Sequence, residues 1–116
     1  MKEIKKRTFY GCINLENISL PKSIERIETD AFYNCTNLSD INIPSGVTNI
    51  GESAFYDCSL TEVSIPNGIT EIMGSSFYGN NLVTVEIPEG VTSIGSSAFA
   101  SCSNLESVSL PQSLTN

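Results

Sequence analysis

The phenylalanines of this chain are Phe9, Phe32, Phe55, Phe77 and Phe99, and the prolines are Pro21, Pro44, Pro66, Pro88 and Pro111. These are all the Phe and all the Pro in 116 residues, and both sets recur every 22 or 23 positions. Two chemically unrelated residues that keep step this way mark an internal repeat, and a chain of such repeats folds as a stack of like units. One unit reads I-x-x-x-A-F-Y-x-C-x-N-L-x-x-I-x-I-P-x-G-V, as in Ala31-Phe32-Tyr33, Cys35, Asn37-Leu38, Ile41, Ile43 and Pro44. Two units are one residue shorter before the Leu, at Cys58-Ser59-Leu60 and Asn80-Asn81-Leu82, where a loop absorbs the deletion.

Within a unit, Leu38, Ile41, Ile43 and their equivalents Leu82, Val85, Ile87 have the alternation of a short strand whose apolar side chains face inward. Proline then ends the strand, because it fixes φ and carries no N–H. Pro44-Ser45-Gly46, Pro66-Asn67-Gly68 and Pro88-Glu89-Gly90 turn the chain. A second apolar pair follows, at Val47/Ile50, Ile69/Ile72 and Val91/Ile94, and the Ala-Phe step fills the far side of the coil. A lone unit of this size cannot bury enough apolar surface to offset the entropy of ordering it, whereas stacked units cover one another's apolar edges. The expected architecture is mainly β: a right-handed solenoid of about five turns with a short parallel β-sheet on one face. It forms one domain over residues 1–116, its turns starting near Ile4, Ile27, Ile50, Ile72 and Ile94.

Charge narrows the partners. The net charge is −7, yet all six basic residues lie in the first 26 positions, and the ten acidic residues after Ile27 have no basic counterpart. A nucleic-acid partner is not expected, since phosphate binding needs a basic surface. There is no apolar run near the length of a membrane span, and the opening residues MKEIKKRTFYGCINLENISL carry positive charge without the apolar centre of a secretory leader. The chain has no His, and little departs from the repeat except Met73, Val83 and the two deletions. A catalytic site needs such asymmetry, so an enzyme is not expected, and no motif calls for a cofactor or a metal.

Three columns of equivalent positions are candidates for function. The strand face presents Asn17, Ser19, Asp40, Asn42, Glu62, Ser64, Thr84, Glu86, Ser107 and Ser109, polar residues that vary from turn to turn on an otherwise constant frame. A recognition surface has this character, and so does a solvated sheet face; its acidity favours a protein partner with a basic patch. Tyr10, Tyr33, Tyr56 and Tyr78 form a second column, a half-buried ladder or, if exposed, a secondary aromatic binding strip. Cys12, Cys35, Cys58 and Cys102 form the third, with Asn80 in the fourth turn. A buried thiol column is the expectation, with Asn80 bonding a neighbouring loop; in-register side chains suit a disulfide dihedral poorly, and a straight ladder makes no zinc tetrahedron.

Written out, the pattern A-F-x-x-C-x-x-L-x-x-[IV]-x-[IL]-P resembles the BspA-like leucine-rich repeats, the short type found in bacteria and protists. It is carried here by Ala31-Phe32, Cys35, Leu38, Ile41, Ile43 and Pro44, and again by Ala98-Phe99, Cys102, Leu105, Val108, Leu110 and Pro111. The resemblance implies a leucine-rich-repeat fold, secreted or cell-surface display, and non-enzymatic binding to host matrix or to another cell's protein. A structural role is the alternative. Neither end carries a recognisable cap and the two are nearly in phase, so copies can stack end to end, unless these residues are a stretch of a longer array.

Overall fold

The computed structural model describes residues 2–115, which wind through five stacked coils with no helix among them. No helix is therefore long and apolar enough to cross a membrane. Strand pairs form on two arcs of the stack, and every pair is parallel. On the first arc β1 (Glu3–Ile4), β3 (Arg26–Ile27) and β5 (Asn49–Ile50) make one sheet, and β6 (Glu71–Ile72) with β8 (Ser93–Ile94) another. On the second arc β2 (Asn17–Ser19) pairs β4 (Asp40–Asn42), and β7 (Thr84–Glu86) pairs β9 (Ser107–Ser109). The strands are short because each coil must come full circle within a single repeat.

Apolar columns supply the interior. Ile27, Phe32, Leu38, Phe55, Leu60 and Leu82 are fully buried, and the phenylalanine rings stack on one another at 5.1, 5.1, 5.5 and 5.6 Å between centroids. Four of the five rings are stationed by their own backbone. The N–H groups of Phe9, Phe32, Phe55 and Phe77 donate to the carbonyls of Ala31, Ala54, Ser76 and Ala98, one coil further on. The chain enters and leaves this aromatic arc through left-handed residues. Asp30, Ser53, Ser75 and Ser97 precede it at φ of 58°, 56°, 55° and 61°, and Asn34, Asp57 and Ser101 follow at 59°, 54° and 57°. Short polar side chains tolerate that region because they bond locally, which explains why Asp, Asn and Ser recur there. Coils also approach closely between the arcs: a Cβ on Gly51 would lie 2.5 Å from the Thr29 backbone nitrogen.

The sheet expected on the strand face is present in two pieces, with a gap at the third coil. Where partners pair on this arc, the coils are a full repeat apart, as in Asn17↔Asp40 and Thr84↔Ser107. From Asp40 to Glu62 and from Glu62 to Thr84 the step is shorter by one, and there the ladder is lost. Among the described residues, no backbone hydrogen bond joins residues 61–65 to either neighbouring coil. The shortened loops thus move the third coil's strand out of hydrogen-bond register while leaving the coil in the stack. Val63 is only half-buried, whereas its equivalents Ile41 and Val85 are 7% and 3% exposed.

Candidate functional site

The gap opens a groove on the strand face. It has a volume of about 1070 Å³ and runs across the second, third and fourth coils. Six of the ten strand-face residues line it: Asp40, Asn42, Glu62, Ser64, Thr84 and Glu86. Asn17 and Ser19 on the first coil, and Ser107 and Ser109 on the fifth, are exposed on the same arc but lie outside the groove. Alternation along each short strand aims these side chains outward, because Ile41 and Val85 between them point into the core. Asn67 and Glu89 also line the groove. Sequence reasoning assigned them only to turns, yet both directly follow a proline that ends the strand, and that position carries them to the groove's edge.

The electrostatics are one-sided. Asp40, Glu62, Glu86 and Glu89 share the groove, and both ion pairs of the described residues lie elsewhere, at Arg7–Asp30 (3.7 Å) and Arg26–Glu28 (3.0 Å). No group of acidic, Cys or His side chains among the described residues could hold a metal ion. What the groove offers is carboxylates, amide and hydroxyl groups, and the backbone N–H and C=O groups of residues 62–65, which bond neither neighbouring coil. Such a set suits the guanidinium and ammonium groups of a protein surface.

The cysteine column faces inward. Cys35, Cys58 and Cys102 are buried, Cys12 is half-buried, and all four are free thiols. Each buried thiol donates to the carbonyl of the phenylalanine in the preceding coil: Cys35 to Phe9 (3.0 Å), Cys58 to Phe32 (3.1 Å) and Cys102 to Phe77 (3.3 Å). The neighbouring Cys35 thiol and burial push the Cys58 thiol far up, and burial raises Cys102 as well. Both thiols are held neutral and unreactive. Asn80 takes the same place with more bonds. Its amide donates to Phe55 O (2.8 Å) and Phe77 O (3.0 Å), and its oxygen accepts from Leu60 N–H (2.9 Å). In full-length coils the Leu N–H bonds the Cys carbonyl three residues back, as Leu38 does to Cys35. The deletion at Ser59 removes that turn, and Asn80 supplies the missing acceptor.

The tyrosines stack as a ladder with centroids 4.9, 4.5 and 4.5 Å apart and planes within 4° of parallel. Tyr33, Tyr56 and Tyr78 are half-buried, while Tyr10 is 47% exposed beside the Arg7 guanidinium. Desolvation within the ladder, then the neighbouring Tyr33, Tyr78 and Asp57, raise the Tyr56 hydroxyl above its ordinary value.

With both arcs placed, the chain can be set beside known proteins. It matches the family described as the BspA type leucine-rich repeat region, in six copies over residues 2–116. The chain belongs to the BspA-type leucine-rich repeat family. A leucine-rich repeat protein of Bacteroides ovatus superposes on these BspA-type repeats with a TM-score of 0.94 and 39% identity, over 97% of this chain and 30% of that one. A leucine-rich repeat protein of T. pallidum gives 0.86 and 31%, over 96% of this chain and 64% of the other. A leucine-rich cell surface protein of Faecalibacterium prausnitzii gives 0.52 and 25%, over 92% and 42%. The BspA-type chain thus spans less than two thirds of the length of each of these relatives. No curated protein matches it.

Proposed function

We propose that this chain is a non-enzymatic protein-binding module, part of a cell-surface adhesin, which grips a basic patch on a host matrix or cell-surface protein through its strand face. One observation carries the reading: the stack opens a groove lined by Asp40, Glu62, Glu86 and Glu89 on its most variable face, in a chain with no cation beyond Arg26. Opposite charge steers encounter and fixes register, while the constant frame behind the groove spares the partner the cost of ordering it. Leucine-rich repeat scaffolds characteristically carry protein interactions on such a surface. Surface display is supported by the likeness to the F. prausnitzii cell surface protein. The partner itself is a matter for experiment.

The test immobilises the chain and challenges it with a panel of extracellular matrix and cell-surface proteins. The comparison variant carries Asp40→Lys, Glu62→Lys and Glu86→Lys together; a second carries Tyr33→Ser and Tyr56→Ser. A true partner binds the wild type, loses at least about tenfold in affinity on charge reversal, and weakens as salt rises. Equal capture by the wild type and the charge-reversed variant sinks the strand-face reading. Loss confined to the tyrosine variant moves the site to the aromatic strip.

A further inference from the structure

We infer that the Asn67–Gly68 turn, at the edge of the strand-face groove, is a self-modifying site at which the Asn67 side chain becomes a carboxylate. The inference begins with the residue after each asparagine. Asn67 alone is followed by Gly; every other Asn with a successor precedes Leu, Ile, Cys or Asn. A side-chain amide can be attacked by the backbone nitrogen of the next residue, which closes a five-membered ring. A side chain on that next residue obstructs the approach, and glycine has none.

Hydrogen bonding separates Asn67 further. At Asn34, Asn37 and Asn104 the following N–H is engaged, donating to the carbonyls of Phe32, Cys35 and Cys102. Asn80 is buried, and its amide is tied to Phe55 O and Phe77 O. Among the described residues, neither the Gly68 N–H nor the Asn67 side chain has a partner. Both residues are exposed, and their turn is closed by a single bond, from Ile69 N–H to Pro66 O at 3.2 Å. In the next coil the equivalent Gly90 N–H is held by Ser113 Oγ at 3.0 Å. The third-coil turn lacks that tie, so its nitrogen is free to reach the side chain.

The chemistry needs only water. The Gly68 nitrogen gives up its proton and bonds to Cγ of Asn67, the Cγ–Nδ2 bond breaks, and Nδ2 leaves as ammonia carrying that proton. Water then opens the cyclic imide. Cleavage at Cγ yields aspartate with the peptide bond restored; cleavage at the backbone carbonyl yields isoaspartate, which lengthens the main chain by one carbon. Either product adds a carboxylate to the groove that holds Asp40, Glu62, Glu86 and Glu89. The conversion does not depend on what the groove binds. Its consequence does rest on the strand-face reading: a partner with a basic patch meets one more negative charge and is held more firmly. Loss of ammonia makes the step one-way, so the groove grows more acidic as the molecule ages.

The full chain, kept in mildly alkaline buffer at body temperature and sampled over weeks, tests this by peptide mass. A Glu-specific protease cuts after Glu62 and Glu71 and releases residues 63–71. That peptide is expected to exchange NH2 for OH and to split into aspartate and isoaspartate forms, while the peptide carrying Asn80 stays unchanged. Asn67→Gln, for which Gln112 at the equivalent place is the precedent, is expected to abolish the acidic species. Gly68→Ala is expected to slow the conversion at least about tenfold; Ser23 and Ser113 show that the position accepts a side chain. An unchanged 63–71 peptide, over a time in which the urea-unfolded chain converts, overturns the proposal. So does an acidic species that persists in Asn67→Gln. The gain in the groove is read separately, with tetralysine as the probe. Asn67→Asp is expected to bind it about twofold more tightly than Asn67→Gln, and equal affinities overturn that gain. If neither binds although 63–71 has converted, the strand-face reading fails and the modification stands.

Discussion

The aromatic arc and the strand arc meet the same two deletions and respond differently. Across every junction the aromatic arc keeps its bonds. Phe32 to Ala54 at 2.8 Å and Phe55 to Ser76 at 2.9 Å are alike, although the step from Phe55 to Phe77 is one shorter than that from Phe32 to Phe55. The strand arc keeps its ladder at the longer steps and loses it on both sides of the third coil. The difference lies in what each arc stands to lose. On the aromatic arc a large buried ring sits directly beside each backbone bond, so slippage would expose both together. The strand arc faces water on its outer side, and there free N–H and C=O groups find solvent with little penalty. Stability is therefore concentrated on one arc, and room for variation on the other.

The largest expected effect tests that division directly. Phe55→Ala removes the central ring of the stack and is expected to cost about 3–5 kcal/mol in a urea titration, whereas Glu62→Gln on the same coil should stay within about 0.5 kcal/mol. Comparable losses from the two would erase the distinction between the arcs.

Next comes Asn80, the residue that holds the shortened coil in place. Asn80→Cys restores the column's usual residue and still has a thiol to offer Phe55 O, but it leaves the Leu60 N–H without its acceptor. A loss of about 1–3 kcal/mol is expected from that unsatisfied buried donor. If the Cys variant proves as stable as the wild type, Asn80 is merely tolerated.

The smallest effect should be the most local. Inserting a single Asn after Ser59 returns the third coil to the full repeat length and to register with Asp40 and Asn42. Amide exchange at the third-coil strand is expected to slow about tenfold, with little change in global stability. Unchanged exchange would show that something other than loop length breaks the ladder.

Much of this was legible in the sequence because the repeat is strict. Five Phe in step defined the coils, the alternation at Leu38, Ile41 and Ile43 defined the inward face, and Asn80 stood out by breaking a column of Cys. The gap was not legible. Leu60, Val63 and Ile65 keep the same apolar pattern as their neighbours, so side-chain alternation is unaffected by the slip. Pairing depends instead on where backbone N–H and C=O groups fall relative to the adjacent coil, and a residue pattern does not record that. The ladder at Ile4, Ile27 and Ile50 shows in the sequence only as turn starts and, at Val47/Ile50, as an apolar pair, for a related reason: strands this brief are too short to show a period of their own. Asn67 and Glu89 escaped because a turn residue's reach toward a groove depends on the coil next to it.

The gap has a mechanical corollary. A column of coils bonded without interruption along one side and unbonded midway along the other resembles a book, with the stacked rings as its spine. Loads that spread the pages meet little resistance at Glu62, while those that shear the spine must separate aromatic faces. Under the proposed function, that compliance would let the strand face follow the curvature of a partner.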